Sequence, residues 1–269
     1  MLDYITHSTL NRAGCTEQWT SSSTDTEENY KAVTTEYGPN AYTPDSFSYT
    51  YNSHGFRSAE FDLPSQLPIV FLGCSFTEGT GLAIEDTWAF RIIQKIRVKT
   101  GKTIPFWNLA VAGTGIDTAA SILYTHIDKL RPRHIFFLRP PWYRRQLKVN
   151  EDSPIEWMPG YGSENNRIKT FEPMLTNKHF ALHQADRSLT IIDLLAERYG
   201  STVHHMNWQL LNGVDKDLES ALVTCKRFRY MNGEWIHRID FARDSLHPGP
   251  KTHKAVADRL WEYDLRNYF

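Results

Sequence analysis

Three residues of this chain could share one reaction: a serine and, far from it in the sequence, a neighbouring aspartate and histidine. Ser75 follows a short apolar run, residues 69–72, that ends in glycine. Asp244 precedes His247 by three residues, so its carboxylate can reach the Nδ1 side of that imidazole within one turn of chain. A histidine oriented in this way can take the proton of a serine hydroxyl, and the three residues could carry nucleophilic acyl transfer.

Each pattern alone also has an ordinary structural explanation. A serine after an apolar strand is often a helix N-cap, and an isolated Asp-x-x-His commonly combines a capping aspartate with a surface histidine. The segment is not the G-x-S-x-G elbow, because Thr77 occupies its last position. Asp240 is a rival to Asp244 as the orienting acid, and the three-residue spacing favours Asp244.

A second loop carries small residues that could approach a ligand. The sequence NLAVAGTG, residues 108–115, has the pattern of a strand followed by a loop, and Gly113 could donate its backbone N–H to an oxyanion. A tight turn fits the same residues equally well.

The elements around these residues alternate between strand and helix. Residues 69–72 have the apolar, β-branched character of a central parallel strand, whose carboxyl end would present Ser75. Residues 85–99 place Trp88, Ile92, Ile96 and either Phe90 or Ile93 on one helical stripe. Further helices are predicted at 117–130, 178–199, 215–228 and 250–261, and further strands at 134–138 and 201–208. This order predicts an α/β fold, a three-layer α/β/α sandwich with a central parallel, flavodoxin-like sheet.

Two segments interrupt the alternation. Residues 1–64 are polar and are predicted to wrap the 65–269 domain as an irregular extension with short strands near residues 47–51. Residues 140–177 are predicted to be an inserted lid or specificity loop at the catalytic face. Trp142 and Tyr143 in this loop are candidate substrate-binding residues.

Taken together, the motifs resemble the SGNH hydrolases, or GDSL esterase/lipase family, over about residues 68–261. GCSFTEG looks like the first block, NLAVAGTG like the second and DSLHPG like the fifth. The resemblance implies Ser75 as nucleophile, His247 as base and Asp244 as acid, with the backbone N–H groups of Ser75 and Gly113 in the oxyanion hole. NSHGFR, residues 52–57, also looks like the lead-in of family members that act on carbohydrate esters.

Two positions depart from the family pattern. Cys74 stands where the family usually has aspartate, a neighbour without a catalytic role there. The third block, Gly-x-Asn-Asp, is absent, and the chain reads RPPWYRR from Arg139 onward. Arg139 is a candidate to replace the missing amide in the oxyanion hole, and pairing with an acidic side chain is the open alternative.

The composition argues against several other classes of function. A net charge of −1 gives no electrostatic reason to expect nucleic acid or an anionic membrane as partner. Three scattered cysteines indicate neither a metal site nor a disulfide framework, and adjacent His204 and His205 would point to opposite faces of a strand. No cofactor or metal is predicted. The start of the chain lacks the pattern of a signal peptide, which predicts a cytoplasmic or otherwise soluble protein of open oligomeric state.

These observations predict a serine ester hydrolase that removes a short acyl group, acetyl in the first instance, from a carbohydrate or other small ester. The aromatic content of 13% fits a glycan-binding cleft, and packing of these rings in the core is the open alternative. Two alternatives stay open: an O-acyltransferase that uses the same three residues on a glycan, and a non-catalytic glycan-binding or structural module with this fold.

Overall fold

The structure is a computed structural model of the 269-residue chain. It describes residues 11–20, 24–37, 42–62, 68–148, 154–157, 173–174, 177–207, 238–263 and 265–269. The predicted helix at 215–228 and most of the predicted loop at 140–177 lie outside these residues, as does Cys225.

Among the described residues, the centre of the molecule is a parallel sheet of four strands, in the order Phe106–Asn108, Ile69–Leu72, His134–Arg139 and Thr202–Asn207. The strands are β3 (Ile69–Leu72), β4 (Phe106–Asn108), β5 (His134–Arg139) and β8 (Thr202–Asn207). Ile69 pairs with both Phe106 and His134, and His134 pairs with Thr202. The parallel register brings the carboxyl ends of all four strands to one edge of the sheet.

Helices cover both faces of the sheet, so the predicted three-layer α/β/α fold is confirmed. α4 (Ile116–Leu130) and α5 (Lys178–Tyr199) pack on one face, and α3 (Trp88–Thr100) and α6 (Pro250–Tyr263) pack on the other. Strand residues alternate between the two cores: Val70 contributes to the α4–α5 side, whereas Phe71 contributes to the α3–α6 side.

The predicted stripe on α3 is buried. Trp88, Ile92 and Ile96 are almost completely buried, and Ile93 rather than Phe90 completes the stripe. A short helix, α2 (Ser75–Glu78), follows β3 directly. A two-stranded antiparallel pair, β6 (Arg145–Lys148) with β7 (Pro154–Trp157), lies within the predicted insertion.

The N-terminal region contains a helix that the sequence analysis did not predict. The expected short strand is present as β2 (Tyr49–Thr50), which pairs with β1 (Thr16–Glu17), but α1 (Glu27–Tyr37) was expected to be irregular. Thr26 caps α1, because its Oγ1 accepts the Asn29 N–H at 3.1 Å. This helix lacks a clear apolar stripe, so periodicity did not reveal it, whereas the Thr-Glu-Glu start is a legible capping signal.

Candidate active site

Ser75 lies at the carboxyl end of the central strand β3, as the first residue of α2. Its side chain is 4% exposed. Gly73 makes the sharp exit from the strand possible, because a Cβ there would lie 2.3 Å from Thr77 Oγ1 and 3.0 Å from the Leu138 carbonyl oxygen. A residue with a side chain at this position would therefore push the serine out of place.

Asp244 and His247 lie on the loop that leads into α6. Phe241 and Pro248 form an isolated antiparallel bridge, and the Ala242 N–H donates to the His247 carbonyl at 2.9 Å. Ser245 takes a left-handed conformation with φ of 54°, which tightens the turn between the acid and the base. The loop therefore closes on itself and presents both side chains from one rigid turn.

The structure brings the three predicted side chains together in one chain of contacts. His247 Nε2 lies 2.9 Å from Ser75 Oγ, and His247 Nδ1 lies 2.5 Å from Asp244 Oδ2. Serine and histidine are 172 positions apart in sequence, so the contact is created by the fold. The edge of the Phe76 ring packs against the imidazole, with ring centroids 5.5 Å apart.

Asp244 is fully buried and still stays ionised. Burial acts to raise the pKa of this carboxyl, but hydrogen bonds and the charge of His247, with a further hydrogen bond from Thr24, hold the pKa below its usual value. Its Oδ1 accepts the N–H groups of Leu246 and His247 at 3.1 and 3.0 Å. A charged, fixed carboxylate of this kind can orient the imidazole and stabilise its protonated form.

Asp240, the other candidate for the orienting acid, lies against the first turn of α6. Its carboxylate accepts the backbone N–H groups of Lys251 and Thr252, each at 2.9 Å, together with the Thr252 hydroxyl. These donors belong to the first turn of α6, so Asp240 caps that helix.

Gly113 lies on the loop after β4 at the same edge of the sheet, with a φ of 79° that favours glycine. The preceding residue, Ala112, donates its N–H to Glu78 Oε2 at 2.5 Å. Glu78 belongs to α2, so the serine helix and the glycine loop are tied to each other. Asn108 adds a second tie, since its amide donates to the Thr77 carbonyl at 2.7 Å.

The second oxygen of Glu78 reaches the N-terminal region. Glu78 Oε1 pairs with Arg12 Nη1 at 2.8 Å, and both side chains are 3% exposed. Arg12 also stacks on the Tyr51 ring at 4.4 Å. Burial acts to lower the pKa of Arg12, but the charges of and hydrogen bonds to Glu78 and Tyr51 together outweigh it, and the pKa lies above its usual value. Arg12 and Glu78 therefore form a buried ion pair next to the loop that carries Gly113.

The lead-in NSHGFR contacts the segment that follows the serine helix α2. Arg57 is buried, and its guanidinium donates to the carbonyls of Gly79 and Leu82, each at 2.7 Å, just after α2. Asn52 shapes the lead-in itself, because its Oδ1 accepts the N–H groups of His54 and Phe56 at 3.0 Å. In this structure the lead-in therefore stabilises the segment that follows Ser75 and α2.

Arg139 is the last residue of β5 and is 7% exposed. The alternation of side chains along β5 places it on the α4–α5 face with Ile135 and Phe137. Trp142 packs partly against the core on that face, and Tyr143 is 39% exposed with its ring 5.8 Å from the Trp142 ring. The roles predicted for these residues in the oxyanion hole and in substrate binding stay predictions.

The sequence analysis missed the residues that support the three side chains from a distance. Thr24 contacts Asp244. Arg12 contacts Glu78, and Glu78 in turn accepts the Ala112 N–H. Glu78 lies inside the GCSFTEG motif and could have been noticed there. Thr24 and Arg12 carry no local signal, because their contacts span 220 and 66 positions of chain.

The two adjacent histidines of β8 have different partners on opposite faces of the sheet. His205 Nε2 lies 2.8 Å from Asp193 Oδ1 on α5, whereas His204 Nε2 lies 3.1 Å from His134 Nδ1 on the other face of the sheet. Across the part of the chain that the structure describes, no cluster of three or more histidine, cysteine or acidic residues could hold a metal ion. Within those same ranges, no helix is long and apolar enough to span a membrane.

Comparison with known proteins gives similarity at the level of structure only. No protein-family model matches this sequence, and no curated protein matches it significantly. The solved structure of TesA is 12% identical with a TM-score of 0.49, over 75% of this chain and 99% of that one.

Two further solved structures are similar to the same extent. The psychrotrophic esterase EstA from Pseudoalteromonas sp. is 14% identical with a TM-score of 0.48, over 76% of this chain and 98% of that one. Axe2, an acetylxylan esterase from Geobacillus stearothermophilus, is 10% identical with a TM-score of 0.48, over 74% of this chain and 94% of that one. A shared fold does not define a reaction, so the chemistry of this chain has to be argued from its site.

Proposed function

We propose that this protein is a serine ester hydrolase that uses Ser75, His247 and Asp244. The observation that carries the proposal is the continuous chain of contacts from Asp244 Oδ2 through His247 to Ser75 Oγ, at 2.5 and 2.9 Å. Nucleophile, base and orienting acid are recognised by this geometry and not by their order in a sequence. Its place at the carboxyl edge of a parallel sheet is the usual place for a site in such a fold.

The first half of the reaction forms an acyl-enzyme. His247 Nε2 takes the proton of Ser75 Oγ as that oxygen attacks the ester carbonyl, and Asp244 stabilises the imidazolium. The tetrahedral intermediate then collapses, and His247 gives the proton to the leaving alcohol. In the second half, His247 activates a water molecule that releases the acid and restores the serine.

The negative oxygen of the tetrahedral intermediate needs donors. We assign this role to the backbone N–H groups of Ser75 and Gly113, which come from the two loops that Glu78 and Asn108 tie together. A donor fixed before the reaction is worth about 3 kcal/mol of transition-state stabilisation. Arg139 is the proposed third donor, in place of the amide that the sequence lacks.

The proposed substrate is a short acyl ester, acetyl in the first instance, on a carbohydrate or another small alcohol. The resemblance of the lead-in NSHGFR and the aromatic content of 13% support this class, as does the exposed Tyr143 ring after β5. Aromatic rings with a polar edge suit the faces and hydroxyls of sugars.

Hydrolysis of p-nitrophenyl acetate, compared with longer p-nitrophenyl esters, tests the proposal. Acetate hydrolysis by the native protein should vanish in Ser75→Ala and in His247→Ala and persist in Thr125→Ala, which alters an exposed hydroxyl-bearing residue of α4. Unchanged activity in Ser75→Ala would refute the serine mechanism. Product analysis with a glycan acceptor separates hydrolysis from acyl transfer, since only transfer yields an acylated acceptor.

A further inference from the structure

A hydroxyl from the N-terminal region reaches the acid of the proposed site. Thr24 lies before α1, outside the segment that resembles the hydrolase family, and its Oγ1 lies 2.5 Å from Asp244 Oδ2. The same hydroxyl oxygen lies 3.3 Å from His247 Nδ1. The contact joins residues 220 positions apart.

The direction of this hydrogen bond follows from the other donors around Asp244. His247 Nδ1 must carry a proton to donate to Oδ2, so the Thr24 hydroxyl has the carboxylate as its acceptor. Oδ2 then receives the imidazole N–H and the hydroxyl, while Oδ1 receives the N–H groups of Leu246 and His247. An ionised carboxylate offers about four acceptor positions, and these four donors use all of them.

A buried ion pair places the two side chains beside each other. Asp25 follows Thr24, Arg243 precedes Asp244, and Arg243 Nη2 lies 2.7 Å from Asp25 Oδ2 with both side chains fully buried. The Tyr49 hydroxyl donates to the same Asp25 oxygen at 2.5 Å. Pairing of these two neighbours fixes the distance between Thr24 and Asp244.

Other contacts fix the two partners further. The Arg243 guanidinium lies over the rings of Trp19 and Phe47, at 4.1 and 3.9 Å from their centroids. On the other side, the Thr24 carbonyl accepts the Asn29 side-chain amide at 2.7 Å. These contacts therefore hold the Thr24 hydroxyl in place next to Asp244.

We propose that Thr24 is a positioning residue, whose hydroxyl keeps the Asp244 carboxylate aligned with His247, so that the N-terminal segment completes the site. This inference rests on the proposed serine mechanism. It gives the predicted extension a role in the chemistry in addition to packing.

The test compares Thr24→Val, which keeps the shape and removes the hydroxyl, with Thr24→Ser, which keeps the hydroxyl. We expect kcat for p-nitrophenyl acetate to fall roughly tenfold in the valine variant with little change in KM, because one hydrogen bond to a charged group is lost. The serine variant should keep native kcat.

The pH profile separates positioning from packing. Without the hydroxyl the Asp244 carboxylate is no longer held in line with His247 and stabilises the imidazolium less, so the acid limb of kcat/KM should move to lower pH in Thr24→Val alone. Among the described residues, the other charged or titratable groups near Asp244 and His247 include the Arg243–Asp25 pair with the Tyr49 hydroxyl, and His253 of α6, whose pKa the charge of His247 acts to lower. These groups are common to all variants, so the comparison isolates Thr24.

A spectroscopic readout makes the inference testable without turnover. The low-field proton resonance of His247 Nδ1–H should move upfield in Thr24→Val, because its hydrogen bond to Asp244 is weakened, and stay in place in Thr24→Ser. Native kcat in the valine variant, equal losses in both variants, or a loss with unmoved acid limb and proton resonance would each overturn the inference. Failure of the proposed function has a different signature, since Ser75→Ala would then retain native hydrolysis while the resonance still reports on Thr24.

Discussion

The charge on Glu78 should matter for both stability and catalysis, and Glu78→Gln removes it with little change of shape. The carboxylate accepts from Arg12 at 2.8 Å and from the Ala112 N–H at 2.5 Å, and the Glu78 side chain is 3% exposed. Glutamine keeps one acceptor oxygen, so its NH₂ group must face either the guanidinium or the amide N–H, which are both donors. One of the two contacts is therefore lost and replaced by a repulsion.

The magnitude follows from burial. Breaking a buried ion pair by removal of one partner costs about 3–5 kcal/mol, because the other charge stays buried. Movement of the Ala112–Gly113 segment would remove one of the proposed oxyanion donors, so we expect kcat of Glu78→Gln to fall roughly a hundredfold. We expect Glu78→Gln to lower the free energy of unfolding by about 3 kcal/mol.

Denaturant unfolding and p-nitrophenyl acetate kinetics measure the two effects. Glu262→Gln is the matched control, because Glu262 is exposed on α6. Combination with Arg12→Met gives a double-mutant cycle, in which the double variant should be more stable than the sum of the single losses predicts. Unfolding and kcat equal to those of the control would refute the reasoning that the ion pair supports the glycine loop.

Three further changes have expected outcomes. Gly73→Ala should abolish hydrolysis and lower the melting temperature, since the new Cβ would lie 2.3 Å from Thr77 Oγ1; native activity would contradict the account of the strand exit. Asp240→Asn should lower stability by about 1 kcal/mol and keep kcat, whereas Asp244→Asn should lose kcat by several orders of magnitude; the reverse pattern in unfolding and kinetic assays would exchange the two roles. Burial lowers the pKa of His253 to about 3, so the unfolded chain binds more protons between about pH 3 and 6.5 and stability falls as the pH is lowered through that range. His253→Asn, which can still accept the Trp88 N–H, should lose less stability between pH 6.5 and 4.5 than the native protein in denaturant unfolding, and equal losses would contradict the assignment.

Sequence periodicity predicted the scaffold well where apolar residues repeat. The strand at 69–72 and the stripe of Trp88, Ile92 and Ile96 were legible, because burial of one face leaves a pattern in the chain. Periodicity could not choose between Phe90 and Ile93, because these two residues lie on adjacent faces of the same helix. It also missed α1, where a threonine cap starts a helix without a clear apolar stripe.

The sequence likewise revealed those residues of the candidate site that carry a local pattern and missed those whose contacts are distant in the chain. Ser75 and the Asp244–His247 pair could be proposed from local spacing, because each lies at the end of a recognisable strand or in a single turn. Thr24 and Arg12 could not, because only the folded chain brings the N-terminal region to the acid and to Glu78. The catalytic roles themselves stay proposals that depend on chemistry and not on position.

Covalent labelling of the native protein by a fluorophosphonate tests the central claim most directly, because the reagent reacts with a serine that a neighbouring base activates. The proposed mechanism predicts one adduct, located by peptide mass spectrometry on Ser75, that is absent in Ser75→Ala and forms more slowly in Asp244→Asn. An unlabelled protein, or an adduct on another residue, would contradict the assignment of Ser75 as the nucleophile.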